Sequence, residues 1–220
     1  METLPVGEIA LFSLAVAVSG VVSGLLAGIF GIGGGAVLVP VFYQVMGPLG
    51  IDEAVRMHIA VGSSLAIIVP TSIRSFTSHR ARGVVDMDLL RNFLIPVPIG
   101  VVFGSLTSAY ISSGGLRAIF AVITLLVAFR LLFNRDSWRI GADLPGNPTI
   151  GIVGGVIGYL STLMGIGGGV LNNTFMTLFN RPMHQAVATS SGVGVLIAIP
   201  GTVGYIWAGW GNPQLPIAST

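Results

Sequence analysis

The pentapeptide Gly31-Ile32-Gly33-Gly34-Gly35 stands inside an uncharged apolar run reaching from Glu8 to Asp52. The same five residues return 134 positions later as Gly165-Ile166-Gly167-Gly168-Gly169, inside the uncharged run from Asp143 to Arg181. Glycine loses more conformational freedom on folding than any other residue and leaves its backbone polar groups uncovered, so four in five positions mark backbone that departs from a regular helix. Runs of this length exceed the roughly 20 residues that cross a bilayer. Inside a bilayer, irregular backbone is tolerated only where protein buries it or where it lines a cavity. The repeated pentapeptide therefore restricts the chain to polytopic all-α membrane folds in which two helices are interrupted.

Composition excludes a soluble domain. Charged residues are 8% of the chain, against about a quarter in soluble proteins, and mean hydropathy is +0.90. Further uncharged runs separate Arg91 from Arg117 and follow Arg181 to the last residue. The first hydrophobic segment is too long, and its Met1-Glu2-Thr3-Leu4-Pro5 start too acidic, for a cleaved leader, so it is expected to be retained. The absence of cysteine excludes disulfides, thiolate metal sites and cysteine nucleophiles. All ten basic residues are arginine, and seven form two clusters, Arg74, Arg80, Arg82 and Arg91, then Arg130, Arg135 and Arg139. Such clusters read as cytoplasmic loops of an inner-membrane protein, not as a nucleic-acid surface.

Hydrophobic periodicity predicts helices at 8–30, 36–46, 57–73, 89–111, 116–133, 149–164, 170–180 and 186–208. With both arginine clusters inside, 89–111 and 116–133 form a hairpin turning outside at Ser112-Ser113-Gly114-Gly115. The segment carrying Asp52 and Glu53 then also lies outside. At about 11 residues, roughly 16 Å, the segments 36–46 and 170–180 reach only halfway across the membrane, each a half-helix preceded by its glycine loop. The parity makes the two units inverted.

The repeat continues past the loops at a shift of 126: Arg56-Met57-His58-Ile59-Ala60-Val61-Gly62-Ser63-Ser64 aligns with Pro182-Met183-His184-Gln185-Ala186-Val187-Ala188-Thr189-Ser190. Residues 1–140 read as the first repeat unit and 141–220 as the second. Repeats with interrupted hydrophobic segments at matching positions point to a transporter site. The paired glycine motifs, Pro40 and the Ala-Val-(Gly/Ala)-(Ser/Thr)-Ser blocks resemble the TauE/SafE sulfite exporter family over about residues 10–210. That resemblance implies a permease for sulfur-containing anions, such as sulfite or sulfonates, in the bacterial inner membrane. Two departures stand out. Asn172-Asn173-Thr174 occupies the place of Leu38-Val39-Pro40, and the helices that the family places after residue 210 are missing, so the second unit is expected to be incomplete.

A half-helix starting inside the membrane aims free N–H groups and the positive end of its dipole at whatever lies beyond it, which suits an anion. The expected substrate contacts are Gly31, Gly33, Gly34 and Gly35 with Gly165, Gly167, Gly168 and Gly169, the two loops facing each other across a pseudo-twofold axis. Ser63, Ser64, Thr189, Ser190 and Ser191 offer hydroxyls, and Asn172 with Asn173 supplies an amide pair that is costly in an apolar helix unless partnered. Close helix packing is the competing reading of all the glycines, and backbone bonding that of the hydroxyls. His58 and His184, the only aligned ionisable side chains, are candidates for proton coupling. Without neighbouring carboxylates or cysteines they make no metal site.

Gly31-x-Gly33-x-x-Ala36 formally satisfies the dinucleotide fingerprint, but that motif needs a preceding strand in a soluble crossover unit. No cofactor is expected, no catalytic set is recognisable, and an enzyme is the remote alternative. The leading expectation is a secondary transporter for a small anion, its partners being that anion and the lipid bilayer. The alternative is a membrane scaffold whose glycines only pack helices.

Overall fold

The computed structural model describes residues 34–133, 140, 141 and 143–210, together with helical positions at 17, 18, 20, 21, 24 and 25. The expected helix 8–30 is described only at those six positions. Gly31, Gly33, Arg135, Arg139 and the chain from 211 onward lie outside the described residues. Eight helices are described: α1 (Gly35–Met46), α2 (Glu53–Ala81), α3 (Met87–Phe93), α4 (Pro96–Ser108), α5 (Ser113–Leu132), α6 (Thr149–Met164), α7 (Gly169–Leu178) and α8 (Met183–Gly209). No strand occurs among the described residues.

Local chemistry sets the boundaries. The Asp52, Asp86 and Ser112 side chains accept from the backbone N–H groups of Ala54, Leu89 and Gly115, capping α2, α3 and α5. The expected single helix 89–111 is instead two, α3 and α4, bent by 46°. The break lies at Leu94-Ile95, both in the right-handed α region, because Pro96 at the start of α4 has no N–H to continue the hydrogen-bond ladder from α3 and its ring crowds the preceding turn. α2 outruns its expected 57–73 at both ends and passes through Pro70. α2, α5 and α8 are long and apolar enough to span a membrane, and α3 with α4 makes a fourth span if counted together.

Close approaches fix the directions of the helices. Cβ atoms built on Gly62, Gly201, Gly194 and Gly192 would lie about 3 Å from Tyr205, Leu65, Ser72 and Phe76 respectively, so residue number rises along α2 as it falls along α8. The sequence-related helices α2 and α8 thus run antiparallel. α4 and α6 run parallel and nearly touch through backbone: a Cβ on Gly100 would strike the Gly155 carbonyl, and one on Gly158 the Val97 carbonyl. Small residues permit this proximity.

Two ends emerge. At one, Arg130 at the end of α5 donates to Thr177 Oγ1 (2.9 Å), the Ile140 N–H donates to the Leu178 carbonyl (2.9 Å), and the Asp86 N–H donates to Thr189 Oγ1 (2.9 Å). The start of α6 and the end of α7 both lie there, so α6, its glycine loop and α7 form a hairpin that enters and leaves on the same, arginine-rich side. At the other end the Ser113 hydroxyl accepts from the Met57 N–H (3.2 Å), and Arg117 donates to Tyr43 Oη (2.9 Å) and pairs with Glu53 (3.3 Å). Val61, Leu65, Phe93, Val97, Leu163, Ile166, Met176 and Ile197 form the core. Val122, Leu125, Leu126 and Phe129 of α5 and Ile99, Val102 and Phe103 of α4 are exposed, as lipid-facing positions require.

Candidate functional site

The second glycine loop lies in the centre of this arrangement, with residues 161–170 all buried. α6 ends in a left-handed glycine, Gly165 (φ 67°), and the Ile166 N–H reaches back to the Ser161 carbonyl (3.0 Å), closing the last turn. Gly168 (φ 73°) is left-handed as well and starts α7; its carbonyl accepts from the Asn172 N–H at 2.9 Å. The equivalent Gly34 has φ −59°, an ordinary helical value. Identical pentapeptides therefore adopt different backbones.

The first residue of α1 meets the second loop through backbone. A Cβ on Gly35 would collide with the Gly165 carbonyl oxygen and lie 2.8 Å from Ile166 Cα. The Gly165 carbonyl accepts from Ser64 Oγ at 2.8 Å, and a Cβ built on Gly194 of α8 would lie 3.1 Å from the Gly167 carbonyl oxygen. The Cβ directions of Gly165, Gly167 and Gly168 are filled by Val39 and Val61, by Ile68, and by Val193 and Ile197, respectively. Beyond Gly168, the N–H groups of Gly169, Val170 and Leu171 have no carbonyl one turn back within α7, and the positive end of the helix dipole points into the loop.

Asn172 and Asn173 are buried, as sequence costs demand of amides that must be paired. Asn172 Nδ2 donates to Ser190 Oγ (2.7 Å), which donates its single proton to Asn173 Oδ1 (2.6 Å). Asn172 Oδ1 is left buried without a hydrogen-bond partner. In the first unit the corresponding positions are the buried, apolar Leu38 and Val39. The network thus joins Asn172, Asn173 and Ser190 beside the second loop.

The remaining expected residues are dispersed. Thr189 caps onto Asp86 at the arginine-rich end, and Ser191 Oγ donates back to the Ala188 carbonyl. Ser63 faces away from the loop into a cavity of about 590 Å³ between α2, α4 and α8, which His58, Thr202 and Tyr205 also line. His58 Nε2 lies 3.1 and 3.0 Å from the Ser108 and Ile111 carbonyl oxygens, so it carries a proton and donates to both. His184 is exposed in the first turn of α8, at the opposite end. Sequence reasoning missed Tyr205, whose hydroxyl donates to the Thr162 carbonyl (3.3 Å); no repeat partner marked it, and a phenol in an apolar run was its one signal. It also read Arg130 only as a topology marker, whereas Arg130 ties α5 to the second half-helix.

Comparison with known proteins follows the same lines. The family described as sulfite exporter TauE/SafE matches residues 16–219. A probable membrane transporter protein of Haemophilus influenzae is 31% identical over 93% of this chain and 78% of its own length. Probable membrane transporter proteins of Methanocaldococcus jannaschii and Bacillus subtilis are each 28% identical, over 86% and 89% of this chain and 70% and 78% of theirs. No solved structure matches the chain.

Proposed function

Because the chain belongs to the sulfite exporter TauE/SafE family of multi-pass membrane transporters, we propose that it is a secondary transporter moving a small anion, sulfite or another sulfur-containing oxyanion, across the bacterial inner membrane. The observation that carries this reading is the buried second glycine loop with its inward-pointing α7 terminus and the Asn172, Ser190, Asn173 network beside it. Free first-turn N–H groups and the helix dipole select negative charge without a cationic side chain. The antiparallel run of α2 and α8 supports two inverted units, 1–140 and 141–220, joined where Gly35 meets Gly165. Access from alternate sides follows from rocking such units about that junction. The cytoplasmic side is the arginine-rich end. Proton coupling by His58 or His184 belongs to the same reading.

A packing role for the glycines is the second reading, favoured by the apolar side chains that fill three of their Cβ directions. Gly34 separates the two. Among the described residues a Cβ there would meet only Leu38 Cδ1, at an ordinary 3.5 Å, so Gly34→Ala leaves their packing intact. The test is uptake of labelled sulfite, thiosulfate and taurine into proteoliposomes containing the chain. Flux that falls in correctly folded Gly34→Ala supports a loop that binds the anion. Full activity in that variant assigns the glycines to packing, and no flux of any of the three anions by the unmodified protein overturns the transport reading.

A further inference from the structure

The shift of 134 that aligns the two pentapeptides carries Gly35 onto Gly169 and Tyr43 onto Thr177, so these two side chains hold the same place on the half-helices α1 and α7. Each accepts a hydrogen bond from an arginine of one and the same helix. Arg117, near the start of α5, donates to Tyr43 Oη at 2.9 Å, and Arg130, near its end, donates to Thr177 Oγ1 at 2.9 Å. A helix rises roughly 20 Å over that interval. α5 therefore touches the two half-helices at equivalent positions and at opposite ends of the molecule.

The two contacts end differently. Tyr43 passes its proton to Glu53 Oε1 (3.2 Å), which also pairs with Arg117 (3.3 Å), so this contact closes on itself in an exposed and neutralised cluster. Thr177 passes its single proton inward, to the Asn173 carbonyl at 2.7 Å with the Thr174 carbonyl farther off at 3.1 Å. Asn173 Oδ1 in turn accepts from Ser190 in the amide network beside the second glycine loop. No carboxylate among the described residues pairs with Arg130, and its Nε is buried without a partner, so Thr177 is the one described acceptor for its guanidinium. α7 is a single short helix, and whatever fixes its last turn also fixes the depth of its first, where the free N–H groups of Gly169, Val170 and Leu171 stand.

We propose that α5 is a strut holding both half-helices, and that Arg130 is a positioning residue for the Asn172, Ser190, Asn173 network, acting through Thr177. Its effect on flux rests on the transport reading above; its effect on the network rests on the hydrogen-bond geometry alone.

An arginine beside a helix C-terminus also offsets the helix dipole, but that role has no need of Thr177. The test therefore reads both residues, in the whole chain, by melting temperature in detergent and by flux in proteoliposomes. Arg130→Gln and Thr177→Val should each raise about tenfold the KM of whichever of sulfite, thiosulfate and taurine the protein carries, and the double variant should do no worse than the poorer single one. Arg130→Lys, which keeps a donor for Thr177, should stay within about twofold of the unmodified chain. In a melting cycle, Arg130→Gln with Ser190→Ala should fall short of the sum of the single shifts by about 2 °C or more. Arg117→Gln with Ser190→Ala should add within about 1 °C. Asn172→Leu replaces Ser190→Ala in both cycles if that variant does not fold. Additive shifts for Arg130 with Ser190, a silent Thr177→Val beside a damaging Arg130→Gln, or a lysine variant no better than the glutamine one would overturn the proposal. The cycle needs no flux: coupling in a chain that moves none of the three anions sinks the transport reading and leaves the strut standing, whereas normal transport with additive shifts and an unchanged KM sinks the positioning role alone.

Discussion

Ser64 of α2 donates its hydroxyl proton to the carbonyl of Gly165, 2.8 Å away at the end of α6, and so ties the first repeat to the glycine loop of the second. Both groups are buried, and the left-handed turn at Gly165 leaves that carbonyl outside the helical ladder. Ser64→Ala is expected to lower stability by about 1–3 kcal/mol, the cost of an orphaned buried acceptor. Ser63→Ala, one residue earlier but facing the cavity, should change it by less than about 0.5 kcal/mol. Thermal unfolding of the two variants in detergent micelles makes the comparison.

The different backbones of the two pentapeptides predict unequal responses to one methyl group. Gly34→Ala, at φ −59° and with only an ordinary contact to Leu38 among the described residues, should be neutral or stabilising by up to about 1 kcal/mol. Gly168→Ala forces alanine into φ 73° and brings its methyl within 2.7 Å of Ile197 Cδ1 and 2.9 Å of Val193 Cγ1, which should cost about 2–4 kcal/mol. Equal melting temperatures for the two would contradict the loop geometry.

Ser190 holds both asparagine amides, so Ser190→Ala should be worse than either single asparagine change. We expect a loss of about 2–4 kcal/mol, with partial recovery in the triple change that also replaces Asn172 and Asn173 by leucine and valine, their first-unit counterparts. A triple variant that regains stability and loses flux assigns the amides to the substrate; one that keeps both assigns them to packing.

The aligned histidines should behave differently. His58→Ala removes a donor to two carbonyl oxygens and should cost about 1–3 kcal/mol, whereas His184→Ala, at an exposed position, should stay within about 0.5 kcal/mol. If either carries a coupled proton, its replacement by glutamine flattens the pH dependence of flux. Flux profiles that keep their shape in both glutamine variants end that role.

Helix positions were legible because hydrophobic runs, caps and glycines are local signals. The half-helix expected at 36–46 is Gly35–Met46, and that at 170–180 is Gly169–Leu178. The break before Pro96 was in plain view, yet the continuous apolar pattern through 89–111 overrode it. The site was legible as a region and illegible as a set of partners. Alignment pairs His58 with His184 and Ser63 with Thr189, but the Ser108 and Ile111 carbonyls come from about 50 residues away, and Asp86 reaches Thr189 across 103. Such pairings are products of tertiary packing. The identical pentapeptides likewise gave no hint that Gly34 is right-handed and its counterpart Gly168 left-handed, since glycine permits either conformation and the surroundings choose.

The antiparallel course of α2 and α8 bears on directionality. Two related helices pointing opposite ways turn their matched positions toward opposite ends of the molecule, and a passive transporter whose halves were interchangeable would, by symmetry, conduct equally in either direction. Its gradient alone would set the sign. Any rectification must reside in positions that differ between the copies in identity or in bonding: Leu38, Val39 and Pro40 opposite Asn172, Asn173 and Thr174, and the carbonyl-held His58 opposite the exposed His184.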